Sequence, residues 1–162
     1  MIYYPRNALE NTALAEWCAD RIPHVRGGEF EKFQAMAVMH GQDVRAVVVF
    51  HDWQPDFRTI QCSMAANTPR WATREHLAAL MFYVFETAGA NKLWTAIPHD
   101  AARVLKFNYG IGLKPEGTLR CHFGHKRHAV ICSMLRREWE RSRWYLGKAE
   151  NGQGQFVATS GA

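Results

Sequence analysis

A helical stripe between two strand-like segments constrains the fold of this chain more than any other feature. Leu77, Leu80, Met81, Val84, Phe85 and Ala88 recur at three- and four-residue spacing, with Thr73 placed to cap the start and Gly89 the end. Just before it, over 57–64, Ile60, Cys62 and Met64 alternate with Thr59, Gln61 and Ser63. That is the period of a strand with one core face and one polar face, the polar one suited to a cleft wall. Just after it, 92–97 reads as a second strand. A strand–helix–strand unit crosses over, so its two strands run parallel.

The remaining segments are antiparallel neighbours. Strands over 33–39, 45–50 and 57–64 follow one another through turn-rich connectors at 40–43 and 52–56, which predicts a meander. Leu9, Ala13 and Trp17, with Leu14 and Cys18, step at helical spacing and predict a helix over 8–21 that ends before Pro23. A basic, glycine-containing loop, 24–28, follows it. A further helix over 100–109 is stopped by Gly110-Ile111-Gly112, and strands over 117–123 and 128–136 are joined at His125-Lys126. The order α, β-β-β, α, β, α, β-β predicts an α+β fold: a mixed, mostly antiparallel sheet with one parallel pair and helices on both faces.

Composition excludes several classes. With 48% hydrophobic and 22% charged residues in 162, the chain is neither disordered nor fibrous. No apolar run approaches the roughly 18 residues of a membrane span, so no membrane partner is expected. The first six residues lack the basic start and apolar stretch of a signal peptide. Cys18, Cys62, Cys121 and Cys132 lie far apart and read as reduced thiols, and together these features predict a cytoplasmic protein. No repeat or linker interrupts 1–146, which predicts one domain. Residues 147–162 hold too little apolar content to pack and predict a disordered tail. The net charge of +5 favours an anionic partner: a nucleotide cofactor, a nucleic acid or an acidic protein.

A strand running into a helix N-terminus is the default anion site of such a sheet. Here that segment is 65–74, where Arg70 and Arg74 add guanidinium groups suited to phosphate. Two other clusters carry less. Cys121-His122-x-x-His125-x-x-His128 has metal-like spacing, but strand alternation sends Cys121 and His122 to opposite faces, so no metal is expected. Arg136, Arg137, Arg141, Arg143 and Lys148, interleaved with Trp139, Trp144 and Tyr145, have the make-up of a nucleic-acid contact. The preferred reading is a terminal segment whose tryptophans cap the core or make a homodimer contact.

Three stretches carry a resemblance to a known family. Pro69-Arg70-Trp71-Ala72-Thr73-Arg74-Glu75-His76-Leu77 resembles the cofactor loop and following helix of the Gcn5-related N-acetyltransferases (GNAT). Leu113-Lys114-Pro115-Glu116-Gly117-Thr118-Leu119-Arg120 resembles their G-F-x-x-E-G-x-x-R signature, and Ser133-Met134-Leu135-Arg136-Arg137-Glu138-Trp139 their closing strand. The likeness covers about 30–140. It is nearest to the branch acting on ribosomal-protein N-termini and to divergent phage and prophage members.

The resemblance implies a splayed parallel strand pair that takes acetyl-CoA as co-substrate and an amine as acceptor, whether a protein N-terminus, a lysine or a small molecule. It places Met64, Ala65 and Ala66 on the pantetheine arm, and Arg70, Trp71, Ala72, Thr73 and Arg74 on the pyrophosphate. The family loop reads Arg/Gln-x-x-Gly-x-Gly/Ala, whereas this chain has Asn67-x-x-Arg70-x-Ala72. Acetyl transfer needs a base for the amine, and His51 and Glu29 are the candidates, with Gln61 and Ser63 able to orient a water. The acid expected in the second helix falls near Leu105, with Tyr109 one turn later. The alternative reading is a GNAT-fold binding module, without catalysis, for nucleic acid or a host protein.

Overall fold

The computed structural model describes residues 1–25 and 30–147. Seven strands form one sheet in the order β1-β2-β3-β4-β5-β7-β6. They are β1 (Ile2–Tyr3), β2 (Gln34–His40), β3 (Asp43–Gln54), β4 (Thr59–Ala66), β5 (Lys92–Pro98), β6 (Lys114–Leu119) and β7 (Ala129–Leu135). The helices are α1 (Ala8–Ala19), α2 (Arg74–Phe82), α3 (Ala102–Gly110) and the short α4 (Arg136–Trp139). β4 and β5 are the parallel pair, and every other neighbouring pair is antiparallel. The expected α+β architecture, with helices on both faces, is the one found.

Strand alternation explains why there are two cores. In β3, Ala46, Val48 and Phe50 turn to the face covered by α2, where they meet Leu77, Leu80, Met81, Val84 and Phe85. Val47 and Val49 turn to the opposite face and meet Ala15 and Cys18 of α1. A strand buried on both sides reads as an unbroken apolar run, and 46–50 is such a run. In β4, Ile60, Cys62 and Met64 face the α2 side as their alternation predicted, while Ala65 belongs to the α1 side.

Four elements differ from expectation. β1 is only two residues long and has no readable period, yet it pairs with Val38 and Ala37 at one edge. The long helix keeps α geometry to Phe82 and then widens into a π-helical stretch, Tyr83–Thr87, in which Ala88 N–H donates to Tyr83 O at 2.8 Å. β6 begins at Lys114 rather than 117, because Pro115 lies on the outer edge strand, where a missing N–H does no harm. Positive φ at Cys121, Gly124 and Lys126 then bends 120–128 into a looped connection instead of a continued strand. Of the predicted tail 147–162, residues 148–162 lie outside the described part.

The terminal basic-aromatic segment packs. Trp139 is fully buried, stacked on Phe85 with centroids 5.1 Å apart, and Trp144 donates from Nε1 to Ile111 O at 2.7 Å. Arg136 is tied to Glu86 at 2.8 Å. Those two indole rings belong to the core and present no stacking face to a base. Among the described residues no helix is long and apolar enough to cross a membrane.

Candidate active site

β4 and β5 are joined over only three register pairs, Thr59↔Lys92 to Gln61↔Trp94. Beyond them each strand follows its outer neighbour: β4 stays on β3 as far as Ala66↔Ala46, and β5 stays on β7 as far as Pro98↔Ala129. The pair therefore splays, and the sheet carries a V-shaped gap. A cleft of about 300 Å³ fills it, walled by Cys62, Ser63 and Met64 on one side and Thr95, Ala96 and Ile97 on the other.

The hydrogen-bond parity of the sheet decides which backbone groups face this gap. Asn67 N–H donates to Arg45 O at 2.9 Å, so the odd residues of β4 exchange bonds with β3. Met64 and Ala66 must then turn both amide and carbonyl toward β5, past the end of the parallel ladder. His99 N–H donates to His128 O at 3.0 Å, so by the same parity Ala96 turns its backbone toward β4. Of the three residues expected on a pantetheine arm, Met64 and Ala66 thus offer their backbone to the cleft, and Ala65 packs its side chain on the α1 face.

The loop after β4 solves its geometry without glycine. Pro69–Trp71 form a 3₁₀ turn capped by Thr68, whose hydroxyl accepts from Arg70 N–H at 3.3 Å. Thr73 then caps α2 by accepting from His76 N–H at 3.2 Å. No residue in 67–74 has a positive φ, so the side chain at position 70 meets no backbone strain. Arg70 and Arg74 are exposed beside the amides of the first turn of α2, Ala72 is partly buried, and Trp71 buries its ring against Phe107 at 5.7 Å.

His51 does not line the cleft but stands one contact behind it. Its Nε2 shares a 2.9 Å hydrogen bond with Oγ of Ser63, which does line the cleft, and its ring meets Phe30 at 4.9 Å. Burial pushes the His51 imidazole down to about 4, so it is neutral at physiological pH. Glu29, the other candidate base, lies outside the described residues. Tyr109 does not line the cleft: it is 43% exposed, and desolvation raises its pKa above the ordinary phenol value.

α3 presents other residues to the cleft. Ala101, Val104, Asn108 and Ile111, spaced by three, four and three, all line it. Asn108 is a buried polar side chain whose Nδ2 donates to Val104 O at 2.9 Å. Sequence reading overlooked it, although an amide inside an apolar helical stripe was the available signal. It also overlooked Arg21 and His24, which line the same cleft, whereas Arg127, which the resemblance puts on a hairpin bordering the acceptor cleft, lines it too. The histidines of 121–128 do not assemble into a metal site: His128 Nδ1 accepts from Cys121 N–H at 2.9 Å, and no metal-competent group forms among the described residues.

Comparison with solved structures bears on the fold. A putative acetyltransferase superposes with a TM-score of 0.63 at 21% identity, over 72% of this chain and 66% of that one. A putative acetyltransferase from T. thermophilus gives 0.58 at 20% identity, over 68% of this chain and 62% of that one. A spermidine N-acetyltransferase from Vibrio cholerae, in complex with CoA and spermine, gives 0.58 at 12% identity, over 66% and 68%. The chain thus spans about two thirds of the length of these proteins, and at such identities the likeness shows the fold alone. The fold is that of the GNAT-type acetyltransferases. No protein-family model matches the sequence, and neither does any curated protein.

Proposed function

We propose that this chain is an acyl-CoA-dependent N-acetyltransferase that moves an acetyl group from acetyl-CoA to an amine. One observation carries the reading: the sheet opens between β4 and β5, and Met64 and Ala66 aim backbone donors and acceptors into the opening. An extended, amide-bearing arm fits such a slot because it completes the interrupted ladder as a strand would. Arg70 and Arg74 at the start of α2 supply charge for a pyrophosphate, in place of the amide cradle that glycines give elsewhere. Trp71, Ala72 and Thr73 shape the turn that presents them.

The chemistry asks little of the side chains. The amine nitrogen bonds to the thioester carbonyl carbon, the carbon–sulfur bond breaks, and sulfur leaves with the bonding pair as the CoA thiolate. A thiol ionises near pH 8.5, so this leaving group needs no dedicated acid, and Tyr109 is not assigned one. The amine's proton leaves by way of Ser63 and His51, and because burial makes the neutral imidazole a weak base, it passes the proton on toward solvent rather than holding it. Cys62 lines the cleft, but burial pushes its thiol up to about 12, so transfer is direct rather than through an acetylated cysteine.

Calorimetry with acetyl-CoA tests the reading. Micromolar affinity, together with thiol release when an amine is added, is the expected result. Absence of binding at millimolar cofactor would sink it and leave a binding module on the same fold.

A further inference from the structure

The cleft is lined by Leu77, Leu80 and Met81 of α2 and, away from them, by Arg21 and His24 of the segment that follows α1. Arg70 and Arg74, around the start of α2, are exposed and do not line it. Arg127, from the loop before β7, also lines it. His24 of this lining also meets Phe123, with ring centroids 4.3 Å apart.

The cleft lining here is basic, and the carboxylate beside it, Asp100, is paired to Arg127. Arg21, His24 and Arg127 line the cleft, and among the described residues no Asp or Glu does. Arg21 is fixed entirely by neutral groups: Nε donates to Asn67 Oδ1 at 3.3 Å, Nη1 donates to Trp17 O at 3.1 Å, and the guanidinium lies 3.8 Å over the Trp17 ring. Among the described residues it makes no ion pair, so its charge is oriented and uncompensated. Arg127 spends Nε and Nη2 on Asp100, at 3.1 and 3.2 Å, and keeps Nη1 for another acceptor. A cationic polyamine entering here would meet Arg21 without an ion-pair partner among the described residues, and a carboxylate, Asp100, already held by Arg127. An anionic group would meet two guanidiniums in a partly desolvated setting, where such pairing is strong.

Building on the acetyl-transfer reading, we infer that the acceptor is a small amine carrying a carboxylate, phosphonate or phosphate within a few bonds of its nitrogen. The anionic end docks on Arg21 and Arg127, and the nitrogen points inward toward Ser63. The same guanidiniums disfavour the ammonium form of a nearby amine, which helps to present the neutral nucleophile.

The test is a panel of matched acceptors with acetyl-CoA, read by thiol release: 2-aminoethylphosphonate against ethanolamine, β-alanine against β-alaninamide, and spermidine. The anionic member of each pair should show a kcat/KM at least tenfold higher, with spermidine poorest. Arg21→Gln and Arg127→Gln should erase that preference and leave CoA affinity unchanged. Equal rates within the pairs, preferred use of spermidine, or turnover confined to peptides with acidic N-termini would each overturn the inference. So would an Arg21→Gln protein that loses CoA affinity but keeps its preference, because Arg21 would then serve the cofactor. A separate NMR titration of the CoA-free protein compares 2-aminoethylphosphonate with ethanolamine. Failure of CoA binding alone would defeat the acetyl-transfer reading, whereas phosphonate binding no tighter than ethanolamine defeats only this one.

Discussion

Replacing His51 by Gln should remove about 2 kcal/mol of the stability that the protein loses between pH 7.5 and pH 5. The sign follows from where protons bind. Unfolded, the imidazole takes up a proton near pH 6.5, and folded it does so only near 4, because it is buried against Ser63 and Phe30. Between those values the unfolded chain binds more protons than the folded one, so stability falls as pH drops below 6.5 and this loss is complete below about 4. At pH 5 most of the unfolded imidazole is charged and most of the folded imidazole is not, which gives the figure of about 2 kcal/mol. The full span between the two values corresponds to about 3 kcal/mol.

Urea titrations of both proteins at pH 7.5 and 5.0 measure this directly. The difference between their pH slopes isolates His51 from the carboxylates that titrate in the same range. Gln retains a hydrogen-bonding group for Ser63, so the variant should fold. Parallel slopes in the two proteins would refute the argument. For catalysis, the same depression keeps His51 unprotonated across the physiological range but makes it a weak base, so it serves as a relay rather than a store for the proton, and loss of kcat in H51Q with CoA affinity unchanged is the matching expectation.

Three further outcomes can be checked. Arg70→Glu should weaken acetyl-CoA binding more than tenfold by calorimetry, since an exposed cation beside the α2 start becomes an anion facing phosphate. Trp139→Ala should destabilise by roughly 3–5 kcal/mol. Trp139→Phe should cost far less in denaturant melts, because the indole Nε1 is buried without a hydrogen-bond partner among the described residues, and its removal relieves an uncompensated desolvation. Gly112→Ala should lower the melting temperature by several degrees: Gly112 has φ +101°, and an added Cβ would stand 3.1 Å from Cε of Met134.

What the sequence made legible follows periodicity. The α2 stripe and the two strands around it forced the parallel crossover, and the alternation Ile60, Cys62, Met64 correctly named the α2-facing side of β4. Elements without a period stayed invisible. β1 has two residues and owes its existence to pairing with β2, and the first residues of β6 were missed because Pro115, Gly117 and a register shift between them break the strand pattern before 117. The cleft was harder than the sheet. Its basic lining comes from Arg21, His24 and Arg127, which no local spacing connects, and α3 turns Asn108 inward where the eye is drawn to Tyr109. Backbone parity at Met64 and Ala66 needed only one cross-strand bond to settle, but that bond is a tertiary fact.

The three-pair ladder between β4 and β5 has a mechanical consequence. It makes the seven-stranded sheet two plates, β1–β4 and β5-β7-β6, held at one short seam. The seam has help: Arg58 on the first plate donates through Nε to Gly89 O at 2.8 Å, and Asn91 and Lys92 of the second donate back to Arg58 O. These bonds sit at the closed end of the V, and on the α2 face one core cluster, from Val48 and Phe50 to Leu93, Ile97 and Met134, spans both plates, so the opposite face of the open end is the less tied. Amides of β3 and β7, each paired along both sides, should therefore exchange with solvent slowest, and those of 62–66 should slow markedly when a ligand bridges the plates.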